Sequence, residues 1–132
     1  MTNADLIKHA QSVVKPRRIA HDYGVGDVGC ALLSGSGKVY LGVCMDTSCG
    51  IGFCAEHAAI AAMVTAGEER IKKIVAVLGD GKVLSPCGRC REFMHQIDHR
   101  NLDETEVVLA PDRAVKLREL LPHPWDEVWA KK

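Results

Sequence analysis

The stretch "LSPCGRCREF" (residues 84–93) decides how this chain is interpreted, because it places Cys87 and Cys90 three residues apart, directly behind a proline. Residues three apart on a helix share one face, so two thiols with this spacing at a helix start can bind the same ion. The same spacing also occurs in redox pairs and in structural metal sites. The stretch alone therefore leaves three interpretations open: a redox pair, half of a structural metal site, or part of a catalytic one.

The composition narrows the choice of protein class. The 132 residues are 47% hydrophobic, which predicts a single domain over residues 1–132 with one core. Seventeen basic residues balance seventeen acidic ones, so we expect no nucleic-acid partner. The segment "MTNADLIKHAQSVVK" (1–15) lacks the apolar run of a signal peptide, and no segment has the apolar length of a membrane span. We therefore expect a cytoplasmic protein without a membrane partner, whose six cysteines are reduced and serve metal binding, catalysis or packing.

The hydrophobic spacing predicts helices and strands that alternate along the chain. The apolar residues from Leu6 to Val14 have the spacing of one helix face, and Pro16 ends that helix. A β-hairpin is predicted for residues 27–33 and 38–44, around the turn "SGSG" (34–37). Further helices are predicted at 54–67, 88–97 and 115–121, and further strands at 71–78 and 106–110. This order indicates an α/β layered domain, a mixed sheet with helices packed on its faces.

Two predicted helix starts carry the residues that can perform chemistry. Cys54 and Glu56 open one helix, and Cys87 and Cys90 open the next. Residues two apart do not share a helix face, so Cys54 and Glu56 can converge only on a group beyond the helix end. A metal between two helix N-termini meets this condition, and the positive helix ends stabilise thiolates. Three thiolates on Zn²⁺ would leave the fourth position open to water, as in catalytic zinc sites.

Glu56 indicates what that water could do. A carboxylate beside the water that does not bind the metal is a proton carrier. C-x-E followed by P-C-x-x-C is the signature of zinc deaminases, with cysteine in place of the first histidine. The predicted reaction is attack of water on the amine-bearing carbon of a heterocycle, while Glu56 carries the proton to a ring nitrogen and then to the leaving ammonia. Because three thiolates leave the centre negative, we expect supporting charge from Arg89, Arg91 and a protonated His57.

Other interpretations of the cysteines remain open. A redox pair is disfavoured by the Gly–Arg between the two cysteines and by the absence of a thioredoxin-like strand order. A closed four-cysteine structural zinc site would use Cys49 as a fourth ligand, but it gives the carboxylate of the C-x-E motif no role. Cys30 and Cys44 lie in the predicted hairpin and are expected to be small core residues. Trp125 and Trp129 are expected to be packing or subunit contacts.

These pieces resemble the cytidine deaminase family, in particular its small single-domain type with three zinc cysteines and, within it, the blasticidin S deaminases. The resemblance rests on "CAE" (54–56), "LSPCGRCR" (84–91) and "RELLP" (118–122). It implies a three-layer fold with a mixed five-stranded sheet flanked by helices, a catalytic Zn²⁺, a small nucleoside-like substrate and a homotetramer. It also implies that Cys54, Cys87 and Cys90 bind the zinc and that Glu56 is the proton carrier.

The chain departs from the family where the substrate binds. The family segment Y-S-x-F-x-V-G-A-A-L is "YGVGDVGCAL" (23–32) here, which puts Gly26 in place of a ring that packs on the pyrimidine. The family segment G-x-N-x-E-N is "GVCMDT" (42–47), with Cys44 and Asp46 in place of Asn and Glu. The C-A-E-R of many members becomes "CAEH". The residues predicted to contact substrate are Gly26, Cys44, Asp46, Ala55 and Ser85.

These departures predict intact chemistry with altered recognition. Loss of a stacked ring costs about 1–3 kcal/mol per base, and loss of a partner for a hydroxyl weakens discrimination. The expected substrate is a modified or bulkier cytosine nucleoside such as blasticidin S, with Asp46 and Asp27 facing its polar groups. Three alternatives are an ordinary cytidine or deoxycytidine deaminase of pyrimidine salvage, a zinc-stabilised domain without catalysis, and a nucleic-acid-editing enzyme. The neutral composition disfavours the last.

Overall fold

The computed structural model describes residues 1–129 as alternating helices and strands. The helices in this range are α1 Asn3–Ser12, α2 Ala55–Thr65, α3 Gly88–Ile97, α4 Asn101–Glu104 and α5 Leu117–Leu120. The strands are β1 Arg17–Ala20, β2 Tyr23–Ser34, β3 Val39–Asp46, β4 Ile71–Leu78, β5 Val83–Leu84, β6 Glu106–Ala110 and β7 Arg113–Lys116. No helix within residues 1–129 combines the length and the apolar character that a membrane span requires.

All the strands belong to one mixed sheet. The long strand β2 pairs antiparallel with β3 along one edge and with β4 and the short β1 along the other. Strand β4 also pairs antiparallel with the short β5 and parallel with β6, which forms a hairpin with β7. The predicted α/β fold is confirmed, but the sheet has seven strands within the described residues rather than five. Five of them follow the path β3-β2-β4-β6-β7, and β1 and β5 are short additions to it.

The sheet separates two apolar cores, because successive side chains of a strand point to opposite faces. On one face, Ala31 and Leu33 of β2 pack with residues of α1. On the other face, Cys30 and Leu32 pack with residues of α2 and α3. Helix α1 therefore covers one side of the sheet and α2 and α3 cover the other. Burial on both faces accounts for the nearly continuous apolar runs of β2 and β4.

Helix α2 lies directly on β3 because a glycine allows the close approach. A Cβ atom on Gly42 would lie 2.3 Å from the backbone nitrogen of Ala59 and 2.8 Å from the carbonyl oxygen of Ala55. No larger residue fits there unless the helix moves. This contact fixes the N-terminus of α2, and with it Cys54 and Glu56, against the hairpin.

A buried polar residue fixes α3 at its other end. Asn101 is fully buried; its amide donates to the carbonyl oxygen of Met94 at 2.9 Å, and its side-chain oxygen accepts from the backbone N–H of Ile71 at 2.9 Å. Thr105 adds a bond from its hydroxyl to the carbonyl oxygen of Ile71 at 2.7 Å. Buried polar groups with all partners satisfied specify one arrangement. The C-terminal end of α3 is thereby tied to the start of β4.

The predicted helix at 115–121 is shorter than expected. Residues Arg113–Lys116 form β7, because the chain turns back at Pro111 and Asp112 and pairs with β6. The helix begins at Leu117 and ends at Leu120. The other predicted elements lie where the hydrophobic spacing indicated, with ends shifted by a few residues.

Candidate active site

The two motifs bring three thiols together between the starts of α2 and α3. Cys54 precedes the first residue of α2, Cys87 precedes the first residue of α3, and Cys90 lies in the first turn of α3. The Sγ atoms of Cys54 and Cys87 are 3.5 Å apart, as are those of Cys87 and Cys90. Neither Cys54 nor Cys87 forms a side-chain hydrogen bond that caps the helix it precedes. The three predicted ligands therefore form one cluster, with all three sulfurs within 4.8 Å of one another.

The donor set suits zinc. All three cysteines are free thiols, and their 3.5 Å separations far exceed the roughly 2.0 Å of a disulfide bond. Sulfurs bound to one tetrahedral zinc ion at about 2.3 Å lie slightly less than 4 Å apart, so the observed spacing fits one shared ion. Cys49 is exposed and does not belong to the cluster, so the cysteines within residues 1–129 do not form a four-cysteine site. Three protein ligands leave one position for water.

The three thiols differ in acidity. Burial raises the pKa of Cys90 and of Cys54, and the hydrogen bond with Cys87 raises the pKa of Cys54 further. The pKa of Cys87 is lowered: burial opposes this, but the backbone N–H of Cys90 and the two neighbouring thiols outweigh it. Cys87 is thus the most acidic of the three thiols. Binding of a cation to all three thiolates would release protons, so we expect metal affinity to rise with pH.

Glu56 lies beside the thiols without joining their cluster. Its side chain is 5% exposed and lines the cleft described below. Burial raises the pKa of its carboxyl group, while a hydrogen bond with the Cys90 thiol acts in the opposite direction. A carboxyl group whose pKa is shifted towards neutrality can accept a proton and release it again. Its position and environment are those of a proton carrier.

Arg89 and Arg91, which were predicted to support the thiolates, donate hydrogen bonds to loop residues rather than to the thiols. Arg91 donates to the carbonyl oxygens of Pro86 and Leu120, at 2.8 and 3.1 Å, and to the Ser85 hydroxyl at 3.1 Å. Arg89 donates to the carbonyl oxygen of Gly52 at 3.2 Å and lines the cleft. Arg91 therefore fixes the loop before α3, and Arg89 ties α3 to the loop before α2.

His57 contacts the cluster through its imidazole ring. It stacks on Phe93 with ring centroids 4.3 Å apart, and its Nδ1 lies 3.5 Å from the Cys90 sulfur. Burial, with a smaller effect from the charge of Arg89, lowers the pKa of this imidazole. A lowered pKa favours the neutral ring over the positive charge expected of His57. The residue can still donate Nδ1–H to the sulfur in one tautomer, which stabilises a thiolate without adding charge.

Cys54, Cys87 and Glu56 line a cleft of about 660 Å³, a volume that suits a nucleoside-sized ligand, whereas Cys90 is fully buried. The cleft lies between the β2–β3 hairpin, the loop before α2 and the start of α3. Four predicted substrate contacts line it, namely Cys44, Asp46, Ala55 and Ser85, together with Asp27.

Gly26 is the one predicted substrate contact that is not among the residues lining the cleft. It lies at an irregularity of β2 with φ of +83°, and a Cβ atom there would lie 2.3 Å from the carbonyl oxygen of Lys15. Its own carbonyl oxygen accepts the Lys15 N–H at 3.0 Å. The glycine is needed for this close approach of the chain that follows α1. The approach links residues distant in sequence, so no local motif announces it.

The cleft contains an aromatic ring that sequence reasoning missed. Phe53 lines it, directly before Cys54. A pair of backbone hydrogen bonds with Met45, each of 3.0 Å, holds Phe53 against the end of β3. The cleft therefore has an aromatic wall despite the glycine at position 26. The available signal was the phenylalanine in "GFCAE" (52–56), next to the zinc motif.

Acidic groups lie on the hairpin side of the cleft. Asp27, Cys44 and Asp46 offer side-chain atoms within 4.8 Å of one another. The Cys44 thiol is buried, accepts the Val28 N–H at 3.3 Å and lies 3.9 Å from the Asp46 carboxylate. Cys44 therefore serves both the core and the cleft wall, whereas the two exposed carboxylates can reach a ligand.

Comparison with known proteins agrees with this site. Residues 3–103 match the family model described as the cytidine and deoxycytidylate deaminase zinc-binding region. A cytidine deaminase of Mycobacterium tuberculosis is 36% identical over 97 residues, which cover 72% of this chain and 69% of that protein. A probable cytidine deaminase of Dictyostelium discoideum is 33% identical over 129 residues, which cover 92% and 84%.

Solved structures show the same fold. The crystal structure of cytidine deaminase from Mycobacterium tuberculosis superposes with a TM-score of 0.77 at 28% identity, covering 92% of this chain and 95% of that one. Cytidine deaminase from Burkholderia pseudomallei gives a TM-score of 0.74 at 28% identity, with 95% and 100% covered. This chain therefore belongs to the family of zinc-dependent cytidine and deoxycytidylate deaminases.

Proposed function

We propose that this protein hydrolytically deaminates a cytosine nucleoside, with zinc held by Cys54, Cys87 and Cys90 and protons carried by Glu56. One observation carries the proposal: three clustered thiols and the buried carboxyl group of Glu56 lie together at a nucleoside-sized cleft, which Cys54, Cys87 and Glu56 line. Zinc bound by three thiolates would supply the Lewis acidity that makes water nucleophilic near neutral pH.

Glu56 performs the proton transfers in the proposed reaction. The oxygen of water forms a bond to the amine-bearing carbon, and Glu56 accepts the proton that this oxygen loses. Glu56 then delivers a proton to the ring nitrogen and carries the next one to the leaving amine. The carbon–nitrogen bond breaks, and the products are ammonia and the corresponding keto base. The buried position of Glu56 supports this role, because burial brings its pKa closer to the working pH.

Other residues of the chain orient the substrate. Phe53 offers a ring face for the base, and Val28 and Ala55 extend the apolar wall. Asp27 and Asp46 face the same cleft and can accept hydrogen bonds from hydroxyl or amino groups. The base would then lie towards the thiols and the polar part of the substrate towards the hairpin.

Cytidine and deoxycytidine are the first candidate substrates. The curated relatives that share more than 30% identity with this chain are named cytidine deaminases. A cytosine nucleoside analogue such as blasticidin S is the second candidate, because Cys44 and Asp46 replace the amide and the longer carboxylate of the family segment. A homotetramer in the cytoplasm, as the family resemblance implies, is part of the same proposal.

An ultraviolet-monitored deamination assay on zinc-loaded protein tests the proposal. Cytidine, deoxycytidine and blasticidin S are compared, with Glu56→Ala as the blank. We expect turnover of at least one substrate and a loss of about 10²- to 10⁴-fold in the variant, the usual contribution of a general acid–base group. Zinc content should stay the same in Glu56→Ala. Activity on none of the three substrates would overturn the proposed substrate class.

Replacement of Asp46 tests whether the hairpin side of the cleft takes part in substrate recognition. Asp46→Ala should raise the KM for the preferred substrate while leaving zinc content unchanged, because its carboxylate faces the cleft but not the thiols. Asp112→Ala, in the turn between β6 and β7, is the control for loss of an exposed carboxylate. If kinetic constants for every substrate are unchanged in Asp46→Ala, the residue has no part in recognition.

A further inference from the structure

A second group of metal-ligand side chains lies away from the cleft, where the segment after α5 packs on α3. His95 in the last turn of α3 and His99 just beyond it are four residues apart, and Asp126 lies opposite them. The Nε2 atom of His95 is 2.8 Å from one Asp126 oxygen, and Nε2 of His99 is 3.2 Å from the other. All three ligand atoms lie within 4.8 Å of one another.

We propose that His95, His99 and Asp126 form a second site for a divalent transition-metal ion such as Zn²⁺ or Co²⁺. Two imidazole nitrogens and one carboxylate are a common protein donor set for zinc, and the end of α3 at Ile97 lets His95 and His99 converge on Asp126. None of these three residues belongs to the cysteine cluster. The site is therefore independent of the deaminase chemistry.

Each histidine places one ring nitrogen beside the same carboxylate. The two imidazoles stack with centroids 4.4 Å apart and planes 8° from parallel, and both Nε2 atoms lie beside Asp126. The Asp126 carboxylate can accept a hydrogen bond from Nε2–H of His95, so a metal bound at Nε2 requires the ring proton on Nδ1. Nδ1 of His95 is buried without a hydrogen-bond partner among residues 1–129, so no neighbouring donor opposes a proton at this position.

The charge of the cluster also favours binding of a cation. The Asp126 side chain is 12% exposed, and within residues 1–129 no lysine or arginine forms an ion pair with it. A mostly buried carboxylate between two imidazoles lacks the full positive charge that a divalent ion would supply. His99 is 39% exposed, so an ion can enter from solvent and keep water at its remaining positions.

A metal at this site would cross-link the C-terminal segment to α3. The segment already touches the helix through the backbone N–H of Trp125, which donates to Glu92 at 2.7 Å. An ion shared by both would stabilise their contact through linkage, since it binds only where the ligands converge. The predicted effect is a rise in thermal stability with added metal.

Cobalt titration of protein that holds a single zinc ion per chain tests the site. Wild-type protein should take up one further Co²⁺ per chain, giving weak visible absorption without the intense bands of cobalt–thiolate bonds. His99→Gln and Asp126→Asn should each lower this affinity by at least about 10-fold. His99→Gln is the safer variant because this ring is partly exposed. His123→Gln, an exposed histidine paired with Glu127, is the matched control and should bind like wild type.

Three outcomes would overturn the second site: no further cobalt uptake, equal uptake in wild type and His99→Gln, or cobalt–thiolate bands that show zinc being displaced from the cysteines. Thermal unfolding gives an independent measure, since added Zn²⁺ should raise the Tm of wild type but not of Asp126→Asn. Failure of the deaminase proposal would instead appear as absent turnover with the second metal still bound.

Discussion

At the level of single residues, the six cysteines have different environments although they share one chemistry. Cys54, Cys87 and Cys90 converge, Cys30 and Cys44 are buried in the core, and Cys49 is exposed on a loop. Among these six cysteines, only Cys54, Cys87 and Cys90 have sulfurs close enough together to bind one ion jointly. The motif spacing predicted this cluster because it depends on local geometry at two helix starts.

Replacement of Cys49 separates an open zinc site from a closed one. Because its sulfur lies outside the cluster, Cys49→Ala should retain the wild-type zinc content. Cys87→Ala removes the central thiol, which lies 3.5 Å from both others, and should lose one zinc per chain. Elemental analysis of purified variants, with folding checked by circular dichroism, measures both. Zinc loss in Cys49→Ala would restore the four-cysteine interpretation.

Replacement of Phe53 measures the aromatic wall of the cleft. Stacking of a base on an aromatic side chain contributes about 1–3 kcal/mol, so Phe53→Ala should lower kcat/KM by roughly 5- to 150-fold. The conservative variant Phe53→Tyr should retain most of the activity, because it keeps a ring at the same place. Steady-state kinetics on the best substrate gives the comparison. An unchanged kcat/KM in Phe53→Ala would mean that the base lies elsewhere in the cleft.

Gly26 and Phe53 show where residue-level prediction stops. The family pattern indicated that the pocket lacks a ring because position 26 is glycine, yet Gly26 packs on Lys15 and Phe53 lines the cleft. Both facts depend on which segments pack together. The zinc ligands and four of the cleft residues could be predicted from sequence motifs, whereas the aromatic wall and the packing of Gly26 could not.

At the level of elements, the long strands and helices were predicted because each buries a clear apolar pattern. The short strands β1, β5 and β7 carry no such pattern; all four residues of β1, for example, are exposed. Strand β7 exists because Pro111 and Asp112 turn the chain back onto β6, and this pairing overrides the helical spacing read for residues 115–121. Whether such short strands form depends on the segments they pair with, and those segments lie outside a local sequence window.

The contact between β3 and α2 can be tested at its closest point. Gly42→Ala places a Cβ atom 2.3 Å from a backbone nitrogen of α2, so the helix must shift. We expect a loss of about 1–3 kcal/mol in the free energy of unfolding, the usual cost of overpacking, and weaker zinc binding. Urea unfolding measures the first effect. Gly88→Ala, where nothing lies within 4 Å of the new methyl group, is the control and should not be destabilised.

The hairpin turn and the end of α2 are joined by a titrating carboxylate. Glu68 accepts hydrogen bonds from the Tyr40 hydroxyl at 2.8 Å and from the Ser36 N–H at 3.3 Å. Hydrogen bonding to Ser36, and next to Tyr40, lowers its pKa from 4.5 to about 2. A lowered pKa in the folded state means that Glu68 stabilises the protein above pH 4.5 and that this contribution is lost as the pH falls towards 2.

Glu68→Gln should therefore be less stable than wild type at neutral pH. The difference should shrink as the pH falls from 4.5 towards 2, because only the wild-type carboxylate becomes protonated. Urea midpoints of both proteins across this range give the measurement, with Glu69→Gln as the control. If the stability difference between wild type and Glu68→Gln did not change with pH, the hydrogen bonds of residue 68 would not depend on the charge of its carboxylate.

At the level of the whole molecule, the exposed apolar residues after α5 indicate assembly. Trp125 is 69% exposed, Val128 82% and Trp129 54%, and the two indole rings meet edge to face at 4.5 Å. Large apolar side chains that cluster on a surface mark interaction sites more often than isolated ones do. This patch is therefore a candidate subunit contact for the proposed homotetramer.

Light scattering coupled to size-exclusion chromatography tests the assembly. A homotetramer has four times the 14.4 kDa mass of the chain. Trp129→Ser should shift the mass towards smaller species at micromolar concentration, because it removes apolar area from the patch while leaving the cleft intact. Zinc content equal to that of wild type would confirm that the variant is folded. A wild-type mass equal to one chain would contradict the tetramer, and an unchanged mass in Trp129→Ser would place the subunit contact on another surface.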